Sequence, residues 1–322
     1  MHALLDALDN PQRGYRSVHV VGTNGKSTAT RTIAALLRAD GLEVGAYTSP
    51  HVSGWHERLD TDAESFELAI ARVREAAEAV GATQFETLTA AAFADFAERN
   101  VDAAVVEAGL GGRLDATNVL DAPVVLLTNV GLEHTDVLGD TREKIAAEKL
   151  AVARPEATVV LPDEEWRSLV QESRVVIGGA RQAAGAFVGH PIDGEVAVSV
   201  PGRLERRGPD EVRDGAHTPD AVEWLLDRLE PRGWTLVVSI LQDKDADAML
   251  SRLATAGPTL IATRSSNARA LDERELASRA EPYFERVEAV ADPAEALARA
   301  RLLGPIHVTG SLYLLADLHD SR

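Results

Sequence analysis

Residues 19–28 read His19-Val20-Val21-Gly22-Thr23-Asn24-Gly25-Lys26-Ser27-Thr28. A short apolar run enters a Gly-rich turn, and a lysine and two hydroxyl residues follow it. Small residues in such a turn let backbone N–H groups converge on an anion, and the positive end of the next helix adds to the field. Gly22, Thr23, Asn24, Gly25, Lys26, Ser27 and Thr28 are therefore the candidate phosphate cradle. Lys26 has the reach for the terminal phosphates, and a hydroxyl has the chemistry for a magnesium ion beside them. The stretch points to a nucleoside triphosphate. The usual G-x-x-x-x-G-K-[ST] loop starts on a glycine where this chain has Val20, so this is a variant of that motif.

The flanking sequence supplies the context the motif needs. Residues 17–21 read as a buried strand. Residues 26–40 carry Ile33, Ala34, Leu36 and Leu37 at helical spacing before Gly41 ends the pattern. The alternation continues downstream. Strand-like runs are predicted at 44–48, 103–107, 124–129 and 158–161, with helices at 63–80 and 87–99. A second series begins near Pro201, with strands at 236–240, 259–262, 287–290 and 306–308. Its helices fall at 220–229, 245–254, 272–279 and 293–302, several opening on Asp or Pro. This rhythm predicts an α/β protein: a P-loop-containing domain on a mostly parallel sheet, then a smaller Rossmann-like α/β C-terminal domain. The expected domains are residues 1–200 and 201–322, with the Gly- and Ala-rich stretch 178–194 read as irregular and leading to the linker.

The chain has 322 residues and a formal net charge of −18. Such a surface repels nucleic acid and anionic membranes, so neither is expected as a partner. The same charge poses a problem for anionic substrates, which local Lys and Arg must solve. There are no cysteines, which excludes disulfides and thiolate metal sites. No apolar run approaches the ~20 residues that span a bilayer. The first residues lack the basic and apolar regions of a signal peptide, so the expected location is the cytoplasm.

Further segments stand out in order along the chain. They are Thr48-Ser49-Pro50-His51 with Glu57-Arg58, and Glu107-Ala108-Gly109-Leu110-Gly111-Gly112-Arg113-Leu114-Asp115-Ala116-Thr117-Asn118. Next come Asn129-Val130-Gly131-Leu132-Glu133-His134-Thr135-Asp136-Val137-Leu138-Gly139, then Glu148-Lys149. The last are Pro201-Gly202-Arg203-Leu204-Glu205, Asp214-Gly215-Ala216-His217-Thr218-Pro219, Asp243-Lys244-Asp245 and Gly310-Ser311-Leu312-Tyr313. Singly, each has an ordinary reading. Glu107 is a solvated strand-end carboxylate, His134 a surface histidine, Lys149 a helix-surface lysine, Arg203 an ion-pair residue and Thr218-Pro219 a helix start.

Together and in this order, from about residue 17 onward, the segments resemble the Mur ligase superfamily, and within it folylpolyglutamate synthase and dihydrofolate synthase. The resemblance implies an ATP-dependent ligation. A folate or pteroate carboxylate attacks the γ-phosphate, ADP leaves, and the amine of L-glutamate displaces phosphate from the acyl phosphate. It implies Mg²⁺, as one ion or two, on Ser49, Glu107 and His134. Lys149 matches a lysine carbamylated by CO₂, which would turn a cation into a carboxylate for the second ion. Arg203, Asp214 and His217 match C-terminal-domain residues that reach the nucleotide, with Lys26, Lys149, Asp214 and His217 in catalytic roles. The active site would then be a cleft assembled by domain closure, and the enzyme a monomer. Residues 49–51 and 57–58 fall where the family has its pterin-side and glutamate-side loops.

Three departures stand out. Ser27 follows Lys26 where the family has another glycine. The interval 151–200 holds no counterpart of a His-Gln and a downstream Asn that serves adenine, so the central domain is expected to be trimmed. Thr218 stands in place of an asparagine. A Mur-type ligase for a non-folate carboxylate and a degenerate nucleotide-binding protein are the alternatives.

Overall fold

The computed structural model describes residues 1–170 and 174–319, which form two compact units. The first comprises Met1–Pro50 and Trp55–Val198, and the second His51–Gly54 and the chain from Ser199 onward.

The first unit is built on six parallel strands: β1 (Arg16–Val21), β2 (Val44–Tyr47), β3 (Ala103–Glu107), β4 (Val124–Leu127), β5 (Thr158–Leu161) and β6 (Arg174–Ile177). Their order across the sheet is β2-β3-β1-β4-β5-β6. The inner strands are continuous apolar runs because helices cover both faces. Val18, Val20, Val124 and Leu126 pack against Ile33 and Leu37 of a helix at Lys26–Ala39, whereas Val21, Val125 and Leu127 meet Ile145 and Leu150 of one at Arg142–Leu150. In chain order the helices of this unit are α1 (His2–Ala7), α2 (Lys26–Ala39), α3 (Ala63–Val80), α4 (Gln84–Glu98), α5 (Thr135–Leu138), α6 (Arg142–Leu150) and α7 (Ala180–Val188). Each apolar side chain fully buried in these layers contributes about 1.5–3 kcal/mol.

The structure corrects the reading of residues 178–194. Instead of an irregular linker they contain α7, which packs on α2 and buries Ala183, Ala184 and Phe187 in the core behind β1. The Gly and Ala content that reads as loop serves close helix packing, and Gly189 ends the helix in the left-handed conformation. Arg16 secures the arrangement by donating to the Phe187 carbonyl at 3.0 Å. Helix α4 also begins three residues before the predicted start. Thr83 and Glu86 form a reciprocal capping box there, with Glu86 accepting the Thr83 N–H at 2.9 Å.

The second unit holds β7 (Glu205–Arg206), β8 (Glu211–Arg213), β9 (Thr235–Val238), β10 (Thr259–Ala262), β11 (Arg286–Ala289) and β12 (Ile306–Thr309), in the order β11-β10-β9-β12-β8-β7. Among the described strands the edge pair β7–β8 is antiparallel and the other neighbours are parallel. Helices α8 (Pro219–Leu226), α9 (Ala246–Leu253), α10 (Glu273–Ala280), α11 (Pro293–Ala300) and α12 (Leu312–Asp317) complete it. Thr218 caps α8 by accepting the Ala221 N–H at 3.2 Å, with Pro219 at the first helical position. Among the described residues no helix is long and apolar enough to cross a membrane.

One residue makes this second core sensitive to acid. His307 on β12 is wholly buried, packs edge-on to Trp234 and has no hydrogen-bond partner at either ring nitrogen. Burial pushes its pKa from 6.5 down to about 3. The unfolded chain therefore takes up the proton first. The stability this histidine contributes is complete above its ordinary value and is lost as pH falls from about 6.5 toward 3. Between pH 7 and pH 5 the loss is about 2 kcal/mol. Urea unfolding at the two pH values should show His307→Leu less acid-sensitive than the parent by that amount. An unchanged pH difference would refute the assignment.

Candidate active site

The carboxyl ends of β1, β2, β3 and β4 converge on one edge of the first sheet, and the loops that leave them carry the polar residues of the site. The turn after β1 is the centre. Gly22 has φ +150°, and a Cβ there would collide with the hydroxyl of Thr128, so no other residue fits. Thr128 donates to the Asn24 carbonyl at 2.7 Å, and Asn129 binds the turn twice. Its carbonyl accepts the Thr23 N–H at 3.1 Å, and its side-chain oxygen accepts the Asn24 N–H at 2.8 Å. The Thr23 hydroxyl accepts the Gly131 N–H at 3.0 Å. Gly25, in the left-handed conformation, occupies the N-cap position of α2, and Thr28 lies in the first turn of that helix. Residues 22–28 are thus pinned by the β4 loop into one turn that leads into a 14-residue helix.

Two ammonium groups meet on this turn. Lys26 Nζ donates to the carbonyls of Gly22 and Thr23 at 3.0 and 3.1 Å. Lys149 Nζ, on α6, donates to the same Gly22 carbonyl at 2.9 Å and to Glu133 Oε1 at 2.8 Å. Lys149 is only 1% exposed. Burial lowers its pKa, Glu133 opposes that shift, and Lys26 lowers it further. The ordinary reading of a helix-surface lysine does not describe it.

Glu107 at the end of β3 is 2% exposed, and both its oxygens are engaged. Oε1 accepts from the Ser27 hydroxyl at 3.1 Å and Oε2 from the Ser49 N–H at 3.1 Å. The structure thus gathers the turn, Lys26, Ser27, Ser49 and Glu107 around one point, with Lys149 joined through Gly22. His134 stands at the N-cap position of α5, next to Glu133, with φ +46°. Among the described residues no three His, Asp or Glu side chains converge as a ready metal cage. The oxygens gathered here are the Glu107 carboxylate and the Ser27 hydroxyl, and such hard donors fit Mg²⁺.

Beside this cluster the first unit has a cavity of about 590 Å³. Its lining includes Phe85, Leu110, Leu114 and Leu138, with Asp115 and Asn118 among the polar residues. One wall is the Gly-rich loop after β3. Gly109 in that loop leaves room for the Phe85 ring, which a Cβ would strike. Asp115 braces the loop by accepting the Leu110 N–H at 2.8 Å, and Arg113 pairs with Glu148 at 2.9 Å. Residues 49–51 and 57–58 do not line this cavity. Asn129, Glu133 and Asp115 lie in segments that stand out in the sequence but have no role assigned there, and Thr128 and Phe85 are not singled out. Segments 107–118 and 131–139, which stand out in the sequence, supply much of the cavity wall.

In the second unit Arg203, Asp214 and His217 share a pair of loops. Asp214 is buried and accepts the Leu204 and Ala216 N–H groups at 2.8 Å each. Burial pushes its pKa up, while Arg203 and the two N–H groups oppose the shift. Arg203 donates to the Gly202 carbonyl at 3.0 Å. His217 Nδ1 lies 2.7 Å from the Gly215 carbonyl, which only accepts, so Nδ1 carries the proton.

Comparison with known proteins agrees with this geometry. Residues 20–185 match the Mur ligase middle domain and residues 202–311 the Mur ligase glutamate ligase domain. The dihydrofolate synthase/folylpolyglutamate synthase of Mycobacterium tuberculosis is 31% identical over 376 residues, covering 88% of this chain and 77% of that protein. That span exceeds the 322 residues of this chain, so the relative carries segments without a counterpart here. The crystal structure of Mycobacterium tuberculosis folylpolyglutamate synthase complexed with ADP and AMPPCP superposes with a TM-score of 0.91 at 29% identity, covering 100% of this chain and 94% of that one. Escherichia coli FolC in complex with DHPP and ADP gives a TM-score of 0.85 at 25% identity, covering 99% and 92%. The chain belongs to the Mur ligase family, among its folylpolyglutamate and dihydrofolate synthases.

Proposed function

We propose that this protein is an ATP-dependent ligase that joins a folate or pteroate carboxylate to the amine of L-glutamate through an acyl phosphate. The observation that carries the reading is the rigid turn at 22–26, with Lys26 on it and Glu107 held between Ser27 and Ser49. The adjoining cavity, with Phe85, Leu110, Leu114 and Leu138 as its apolar wall and Asp115 among three acidic residues that line it, suits the flat heteroaromatic part of the acceptor.

The chemistry runs in two steps. An acceptor carboxylate oxygen attacks the γ-phosphorus, and the bond to the β-bridging oxygen breaks to release ADP. The glutamate nitrogen then attacks the acyl carbon, loses a proton, and phosphate departs with the acyl oxygen. Phosphoryl transfer asks the protein for positioning and charge more than for covalent help. The N–H groups at the start of α2 hold phosphate oxygens, and Lys26 exchanges its two backbone carbonyls for them. Glu107, Ser27 and Ser49 are the residues that would hold Mg²⁺, with His134 as the further candidate. When bound, the ion neutralises charge on the phosphate oxygens. In the second unit we assign Arg203 and His217 to phosphate recognition and Asp214 to holding their loops.

Lys149 is assigned as the carbamylated lysine. Its buried nitrogen gives up its proton more readily than an exposed lysine does, because burial and Lys26 both disfavour the cation. The neutral amine attacks CO₂, an N–C bond forms, and a proton is released. The product is an anion facing Lys26, which relieves the repulsion between the two ammonium groups.

Release of ADP should require the acceptor (dihydropteroate or tetrahydrofolate) and L-glutamate together. Lys26→Ala should lower kcat by roughly 10²–10³. A parent enzyme inactive on every folate and pteroate acceptor would defeat the substrate assignment. With ¹³C-bicarbonate, the parent should give a carbamate resonance that Lys149→Ala lacks. Its intensity should rise with pH, because only the deprotonated amine reacts. An identical resonance in both proteins would remove Lys149 from this role.

A further inference from the structure

His19 stands in the middle of β1, three residues before the turn, with its ring wholly buried. Nothing in the ligation uses it directly. Its Nε2 lies 2.8 Å from the Thr117 hydroxyl, and its Nδ1 has no partner. The Thr117 hydroxyl lies 2.5 Å from Asp115 Oδ1, which also accepts the Thr117 N–H at 2.9 Å. Asp115 Oδ2 accepts the Leu110 N–H at 2.8 Å.

Chemistry fixes the direction of these bonds. A carboxylate only accepts, so the single proton of the Thr117 hydroxyl goes to Asp115. The Thr117 oxygen must then accept from His19. Nε2 therefore carries the proton and the partnerless Nδ1 is bare. Burial keeps the ring in this neutral form and pushes its pKa down to about 4. A carboxylate has about four acceptor positions, and three donors are already in place on Asp115. The remaining position belongs to Oδ2, and Asp115 lines the cavity.

We propose that His19 is a positioning residue for the acceptor. Through Thr117 it fixes the orientation in which Asp115 offers Oδ2 to an N–H group of a ring bound in the cavity. The proposal rests on the reading that this cavity takes the acceptor. Neither His19 nor Thr117 lines the cavity, so any effect on acceptor binding must pass along the chain of bonds. An apolar side chain at position 19 would leave the Thr117 hydroxyl without its donor, free to rotate away from Asp115 Oδ1, and so loosen one of the three bonds that orient the carboxylate.

The test is steady-state kinetics on the full chain, varying dihydropteroate and ATP separately, with urea unfolding in parallel. His19→Leu should raise KM for dihydropteroate about tenfold, the worth of one such hydrogen bond. KM for ATP and kcat should stay within about twofold, since the phosphate-binding turn is not part of the chain of bonds. His19→Gln, whose amide N–H can donate to Thr117, should recover most of the loss. Thr117→Val should raise the same KM, and adding His19→Leu to it should cost little more, as members of one network are non-additive. Should His19→Leu fail to fold, the Gln and Thr117→Val variants carry the test. A dihydropteroate KM within twofold of the parent, or a parallel rise in KM for ATP, would overturn the role. Asp115→Ala separates the two readings. If it loses acceptor affinity while the His19 variants do not, His19 alone is refuted. If it too leaves the dihydropteroate KM unchanged, the cavity assignment itself falls.

Discussion

Two ammonium groups share one backbone carbonyl, that of Gly22, and the first unit is arranged around making this tolerable. Like charges a few ångströms apart in a partly dry site repel by several kcal/mol unless opposed. Glu133 opposes the repulsion directly at Lys149, and Glu107 stands near Lys26 through Ser27. The carbonyl is presented to both cations only because Gly22 takes a φ and a closeness to Thr128 that no side chain permits. A site that concentrates cations on oriented backbone dipoles is built to receive an anion. This resolves the puzzle of a chain with net charge −18 handling anionic substrates. Exposed charges act over a Debye length of about 8 Å at physiological ionic strength, so the distant acidic surface is screened. Lys149, which is buried, and Lys26, which is half-buried, are screened far less.

The same economy governs the loop after β3. At its start Glu107 faces the phosphate-binding turn, and at its end Asp115 faces the cavity. The glycines between them let one side of the loop lie against Phe85 and the other against the backbone of α6. The two ends are also tied to β1 independently. The Ala108 N–H pairs with the Val20 carbonyl at 2.9 Å, and Thr117 pairs with His19 at 2.8 Å. A single strand therefore sets the positions of both chemical partners, the phosphate side and the acceptor side. Errors in placing the reacting groups of a ligation are costly, and a shared rigid reference limits them.

How much of this could be read in advance follows from the range of the interactions. Strand–turn–helix at 16–39 was legible because every determinant is local: the apolar run, the glycines and the helical spacing of Ile33, Leu36 and Leu37. Most of the buried parallel strands were legible for the same reason, with ends shifted by up to two residues, but the three-residue β8 was not. Helix α7 was missed because Ala and Gly carry little periodic signal, and its stability comes from packing on α2 rather than from its own sequence. Glu133 was invisible as a partner of Lys149 because 16 residues and a helix start separate them. The path from His19 to Asp115 crosses 98 positions in a single hydrogen bond and has no sequence signature at all.

Asp214 carries a catalytic role in the resemblance, and its hydrogen bonds support a holding role instead. A carboxylate that acts on a reacting atom needs an oxygen directed at that atom, with capacity to spare. Asp214 directs its two oxygens to two backbone N–H groups, in a place where burial opposes its charge. Charge-assisted bonds to backbone N–H groups are among the stronger ones a side chain makes. Here they hold Leu204, which sits at φ +43°, a strained region for a side chain of that size, and they fix the start of the segment that carries His217. The Gly215 N–H bonds to the Gly202 carbonyl at 2.9 Å and closes the same pair of loops. The residue is a clamp: its influence on Arg203 and His217 passes through the shape of these loops, and its buried charge is what makes that shape rigid.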